Sequence, residues 1–195
     1  KESEPLSNPD IHLVGYGLKL SAGEPKPIQQ KRLVVVNQFG SITVDTVVPV
    51  RLFVPSLKSL ETDPGPPDPD SHDVDYFNCY QVRISKGTAK FPKGVQKFVV
   101  DQFAQGKYYD VTGPVRFCVP VATGAEQIKK PLNELMCYAV TPAKGQPKHV
   151  PIQNIHTHNQ FGAETLDTVK EAELCVPSLN HPPDALDDLT VTTQN

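Results

Sequence analysis

The chain of 195 residues contains no tryptophan, a single methionine and only four cysteines. No apolar run approaches the ~20 residues that cross a bilayer as a helix, so no membrane span is expected. Neither sign of charge dominates: 19 Lys+Arg face 22 Asp+Glu for a net charge of -3, which argues against nucleic acid as the main partner. Catalytic signatures are missing as well. The sequence has no Gly-x-Ser-x-Gly elbow, no phosphate-cradling glycine-rich loop and no His-Glu-x-x-His, so no enzyme is expected. Alanine is scarce, 10 against 23 valines, and no amphipathic stretch exceeds about two helical turns. That balance favours strands over helices.

The N-terminus lacks an initiator methionine, and Lys1-Glu2-Ser3-Glu4-Pro5 carries no apolar segment of the signal-peptide kind. It reads as the start of a mature chain whose targeting segment has been removed, or of a trimmed one.

What the chain has in abundance is repetition. Val35-Val36-Asn37-Gln38-Phe39-Gly40 recurs as Val99-Val100-Asp101-Gln102-Phe103-Ala104 and as Thr157-His158-Asn159-Gln160-Phe161-Gly162. Downstream stand Leu52-Phe53-Val54-Pro55, Phe117-Cys118-Val119-Pro120 and Leu174-Cys175-Val176-Pro177; upstream stand Gly15-Tyr16, Cys79-Tyr80 and Cys137-Tyr138. The three signatures keep one order and near-constant spacing, which predicts three related antiparallel β units of roughly 45 residues, sandwich-like or barrel-like. Within each unit the Gln-Phe segment lies between two β-rich runs and predicts a hairpin turn, with Gly40 and Gly162 allowing positive φ. Ala104-Gln105-Gly106 lengthens that turn in the second unit. Pro49 and Pro114 are expected to break the strand ahead of its last short run, where the third unit has Glu171.

Twenty prolines punctuate the chain. The segment Asp63-Pro64-Gly65-Pro66-Pro67-Asp68-Pro69-Asp70 predicts an extended linker. The expected division is a first unit at 1–58, a linker at 59–74, a paired domain at 75–180 with units 75–121 and 132–179, and an acidic tail at 181–195.

Cys79 and Cys118 bracket the second unit, and Cys137 and Cys175 the third, while the first has Gly15 and Phe53 there. Four cysteines allow three connectivities, and the joint absence of both from the first unit selects Cys79–Cys118 and Cys137–Cys175. Each would close a loop of nearly forty residues, contributing about 4 kcal/mol in the chain-entropy model. Disulfides imply an oxidising compartment, hence a secreted or cell-surface protein. Cys79-Tyr80-x-Val82, Asp101-Gln102-Phe103, Cys118-x-Pro120 and their counterparts in the third unit, from Cys137-Tyr138 to Cys175-Val176-Pro177, resemble a tandem-repeat domain family of secreted bacterial proteins. The resemblance covers Asp75–Leu179 well and Ile11–Leu57 partly. It implies secretion and a paired-repeat unit, and it implies no catalytic residue.

Two clusters carry metal chemistry as expectations. His156 and His158 alternate on one strand face, a geometry for two ligands of a transition metal. Asp68, Asp70, Asp73 and Asp75 place four carboxylates in eight residues, as calcium favours, though an EF-hand's glycine and terminal glutamate are missing. No other cofactor is expected. Tyr16, Tyr80 and Tyr138 repeat at one position, as a packing residue of each unit or a ligand-stacking ladder.

The expected function is a non-enzymatic structural or adhesive subunit that assembles with itself. Leu33, Val34, Val35 and Val36 form an apolar strand that would lie uncovered if the first unit lacks its complement. Leu189 and Val191, in the strand-like run Leu189–Thr193, could cover it in a neighbouring chain, giving a filament. The alternative is a monomeric ligand- or carbohydrate-binding module, which the aromatic content of 7% disfavours for sugars.

Overall fold

The computed structural model describes residues 10–101, 106–124 and 126–181. Ten strands follow one another: β1 (His12–Gly17), β2 (Leu33–Asn37), β3 (Gly40–Ser59), β4 (Tyr76–Ile84), β5 (Val95–Val99), β6 (Lys107–Val121), β7 (Glu134–Pro142), β8 (Ile155–Asn159), β9 (Gly162–Leu166) and β10 (Glu173–His181). A 3₁₀ turn at Pro69–Ser71 is the only helical element among the described residues. Every pairing is antiparallel. The protein is all-β, as its valine-rich, alanine-poor composition predicts.

Two of the expected hairpins form at two-residue tips. Asn37 faces Gly40 across Gln38-Phe39, and Asn159 faces Gly162 across Gln160-Phe161. Gly40 and Gly162 have φ of 98° and 109°, a region closed to most side chains. Each asparagine closes its own turn by accepting a hydrogen bond at Oδ1 from the backbone N–H two residues on, at 2.9 Å to Phe39 and to Phe161. Short polar side chains favour turns for this reason. The third tip, at 102–105, lies outside the described residues; its ladder closes at Val99 opposite Lys107.

The ladder runs β2-β10-β7-β6-β4-β3, and β3 returns to pair with β2. Six strands thus close a barrel with no free edge. Its interior holds Val35, Val44, Val82, Phe117, Met136 and Tyr138, all buried. Strands from 1–58 alternate with the rest, β2 beside β10 and β3 beside β4 and β8, so the segment 59–74 marks no break in the sheet. The strand Leu33–Val36 is not uncovered. It pairs with β3 on one side and with β10 on the other, and Val35 is wholly buried. Its apolarity reflects a place inside the barrel wall.

Pro49 and Pro114 do not end their strands. β3 runs through Pro49 and β6 through Pro114, each with register shifts on both sides of the proline. A proline at a bulge forfeits one ladder bond, and the bulge bends the strand. The break comes where proline is missing. Around Glu171 the chain leaves the sheet, and β9 and β10 are separate strands. There the Glu171 carboxylate takes the buried Lys107 ammonium at 2.5 Å.

Both disulfides form as the internal comparison selects, Cys79–Cys118 and Cys137–Cys175. They lie on the face opposite the barrel core, in a second cluster with Phe77, Leu13, Phe53 and Leu135. Cys118 Sγ and Cys137 Sγ are 3.9 Å apart. At the corresponding register Gly15 faces Phe53. A Cβ on Gly15 would fall 2.8 Å from the Phe53 ring, so the ring lies over the glycine where the other pairs have sulfur.

Candidate functional site

The four strands β8, β3, β1 and β9 form a second, open curve. Past its bulges β3 still pairs β4 through residues 51–53, while its other edge pairs β1 through residues 51–56; it then pairs β8 through residues 57–59. β9 pairs only with β8, and β1 only with β3. Among the described residues no strand joins the outer edge of β1 or of β9, and a groove of about 500 Å3 lies between them.

This open curve reproduces four strands of the barrel residue for residue. Leu57, Lys58 and Ser59 face His158, Thr157 and His156 as Leu179, Asn180 and His181 face Val36, Val35 and Val34. His12 faces Ser56 as Glu134 faces Ser178. The loops before the hairpins agree too. Gln30 N–H donates to Thr46 Oγ1 and Arg32 N–H to Asp45; likewise Ile152 N–H donates to Thr168 Oγ1 and Asn154 N–H to Asp167. Arg32 and Asn154 share a positive φ of 55° and 59°.

Each hairpin asparagine ties its own strand to two others of the same set. Asn159 Nδ2 donates to the Tyr16 hydroxyl at 2.9 Å and to Ser56 Oγ at 3.1 Å. Asn37 Nδ2 donates to the Tyr138 hydroxyl at 2.9 Å and to Ser178 Oγ at 3.0 Å. Phe161 packs edge-on to Tyr16, and Phe39 to Tyr138. Tyr80 differs, because its hydroxyl accepts from Asn78 two residues away. The three tyrosines therefore serve packing and hydrogen bonding in three places and form no continuous ladder.

What differs is the far wall. In the barrel, β4 and β6 complete the ring, and a groove of about 520 Å3 opens at its mouth between Leu33, Thr46 and Asn180 on one side and Tyr80, Phe117 and Val119 on the other. The open curve has Lys58 and Thr168 at positions matching Asn180 and Thr46, and no described strand opposite them. Tyr16 bridges the gap by donating to Glu164 Oε2 at 2.8 Å.

The electrostatics of the open groove follow from burial along its lining. Burial, reinforced by the Lys58 charge, pushes His12 down to about 4. Burial pushes Lys58 down to about 8, against the pull of Asp101. At the matching barrel positions Glu134 accepts two hydrogen bonds from Asn180, at 2.8 and 2.6 Å. Here a histidine and a lysine stand at the two matching positions, and the Lys58 charge disfavours protonation of His12.

The expected metal ligands do not converge. His156 and His158 share the outer face of β8, but each has its own partner: Thr165 Oγ1 for His156 and Asp63 for His158. Asp68 caps the 3₁₀ turn through Asp70 N–H. Asp73 pairs with Lys130, and Asp75 accepts from the backbone N–H groups of Lys129 and Lys130. Among the described residues the one group of three potential ligands within reach of each other is Cys137, Glu173 and Cys175, and its sulfurs are disulfide-bonded. Leu189 and Val191 lie outside the described residues. Sequence reasoning missed His12, Lys58 and Glu164. Nothing in their own neighbourhoods announces them, and only alignment of the third unit on the first places them inside a curve.

No helix among the described residues is long and apolar enough to cross a membrane. No protein-family model, curated protein or solved structure matches the chain.

Proposed function

We propose that the protein is a non-enzymatic extracellular structural subunit, built of three related β units, that joins neighbouring polypeptides through open strand edges. The observation that carries this reading is the groove between β1 and β9, whose two edges are unpaired among the described residues and face one another. Unpaired edges offer rows of N–H and C=O groups that recruit further strands. Among the described residues β5 is also an edge strand, paired with β6 alone. Two disulfides support an oxidising location, and the resemblance to secreted repeat proteins points the same way. Two copies, each offering the same open curve, can pair edge to edge, which is the simplest route to self-assembly.

The test is sedimentation equilibrium of the full chain from micromolar to near-millimolar concentration, beside Leu13→Pro. Alternation along β1 turns the Leu13 N–H away from β3, since its partner Pro55 has no N–H to exchange. Proline there removes the edge donor, and Leu13→Ala, which keeps the donor, controls for the side chain that packs beside the disulfides. Rising mass in the parent chain and in Leu13→Ala, with monomer in Leu13→Pro, supports the reading; constant monomer mass in all three contradicts self-assembly.

A second reading, a ligand-binding module, rests on the mouth of the closed barrel. Barrel mouths with mostly apolar walls and a few polar groups are common ligand sites. Beside this one the buried Asn78 Oδ1 has no hydrogen-bond partner.

A further inference from the structure

We propose that the groove between β1 and β9 is the seat of one specific partner: a disulfide-linked pair of strands of the same kind as β4 and β6, supplied by another repeat unit. The proposal rests on the three-unit reading above and names what the open edges receive.

The barrel supplies the template. Around its ring, β8 of the open curve corresponds to β2, the end of β3 to β10, β1 to β7, and β9 to the start of β3. Two members of the ring, β6 and β4, have no counterpart in the open curve. In the barrel β6 pairs with β7, and β4 pairs with the start of β3. The matching edges in the open curve are those of β1 and β9, and both are unpaired among the described residues. The vacancy is therefore two strands wide, and its two borders have the edges that a β6-like and a β4-like strand would need.

The side chains fit this occupant. In the barrel, Phe117, Val119 and Tyr80 of that strand pair stand across a groove from Leu33, Thr46 and Asn180. In the open curve Ile155, Thr168 and Lys58 take those three places and line the groove. Thr157 and Ser56 are buried at its floor, as Val35 and Ser178 are in the barrel. On β1 the N–H groups of Leu13, Gly15 and Gly17 point to the groove, because the alternate residues His12, Val14 and Tyr16 bond to β3. On β9, beyond the two-residue hairpin, Ala163 and Thr165 point outward by the same alternation. The incoming pair would add its own strand-to-strand disulfide next to Gly15 and Phe53, as Cys79–Cys118 lies next to Cys137–Cys175.

The experiment uses the full chain extended by a second copy of residues 75–121 ahead of Lys1. Amide hydrogen exchange is read at Leu13, Gly15, Gly17, Ala163 and Thr165, with free thiols counted in parallel and the unextended chain compared at high dilution. The proposal predicts that these five amides exchange at least about tenfold more slowly in the extended chain. It also predicts no free thiol and no self-association, because the slot is filled from within. A control chain extended by residues 11–59, the first unit, leaves the five amides fast.

Unchanged exchange in the extended chain overturns the proposal, whether the added cysteines pair or remain free. Protection by the control extension overturns it also, since any strand would then serve. Amides already slow in the dilute unextended chain contradict the vacancy itself. A monomeric parent chain with a protected extended chain would remove self-assembly and leave this inference standing; the two failures are thus distinct.

Discussion

Gly15 shows how one residue can stand in for a covalent bond. The sequence shows that both cysteines disappear together from the first unit, and pairing explains the joint loss. It does not show what replaces them, because a glycine and a phenylalanine 38 residues apart carry no signal of contact. The replacement is steric: the Phe53 ring occupies the space over Gly15, an arrangement in which an aromatic side chain protects an edge glycine. Gly15→Ala should therefore cost about 1–3 kcal/mol by overpacking, read as a lower midpoint in chemical denaturation. Gly15→Cys with Phe53→Cys restores the sulfur pair at the same register. Mass spectrometry should find a third disulfide and no scrambling of the other two; persistent free thiols at 15 and 53 would contradict the equivalence of the three positions.

At the scale of strands, the hairpins were legible and the prolines misleading. Asn-Gln-Phe-Gly specifies a turn through local chemistry, an asparagine closing on its own backbone and a glycine at positive φ. Pro49 and Pro114 also act locally, but their effect depends on the neighbouring strands, which absorb the bulge and keep the ladder running. The burial of His12 on β1 is likewise invisible in sequence. Because burial lowers this histidine to about 4, the unfolded chain binds a proton between about pH 6.5 and 4 that the folded chain refuses. Stability contributed by neutral His12 is thus complete above its ordinary value and falls as the pH drops through that window. His12→Asn should flatten the decline in melting temperature between pH 6.5 and 4 relative to the parent. An identical slope in both proteins would place His12 in ordinary solvent. Other groups shape the acid limb: the Ser85 hydroxyl and the Arg32 N–H hold Asp45 below the usual carboxylate range, and its protonation adds a loss that the variant keeps.

For the molecule as a whole, recurring signatures in the sequence carry no information on how the segments that hold them interlock. The expectation of a separate first unit came from the proline-rich stretch before Tyr76, and proline content reports local stiffness, not which strands pair. In the structure β2 and β3 are part of the barrel wall, Asn37 ties β2 to β7 and β10, and Asn159 ties β8 to β1 and β3. Filling six positions of one ring and four of the other leaves β1 and β9 as facing borders. The most direct measurement is residue-resolved hydrogen exchange on the dilute full chain. The account predicts slow exchange for Val35, Val44 and Met136 in the closed ring, and fast exchange for Leu13, Gly15, Gly17, Ala163 and Thr165 on the two borders. Protection of the border amides equal to that of the ring would contradict an open slot.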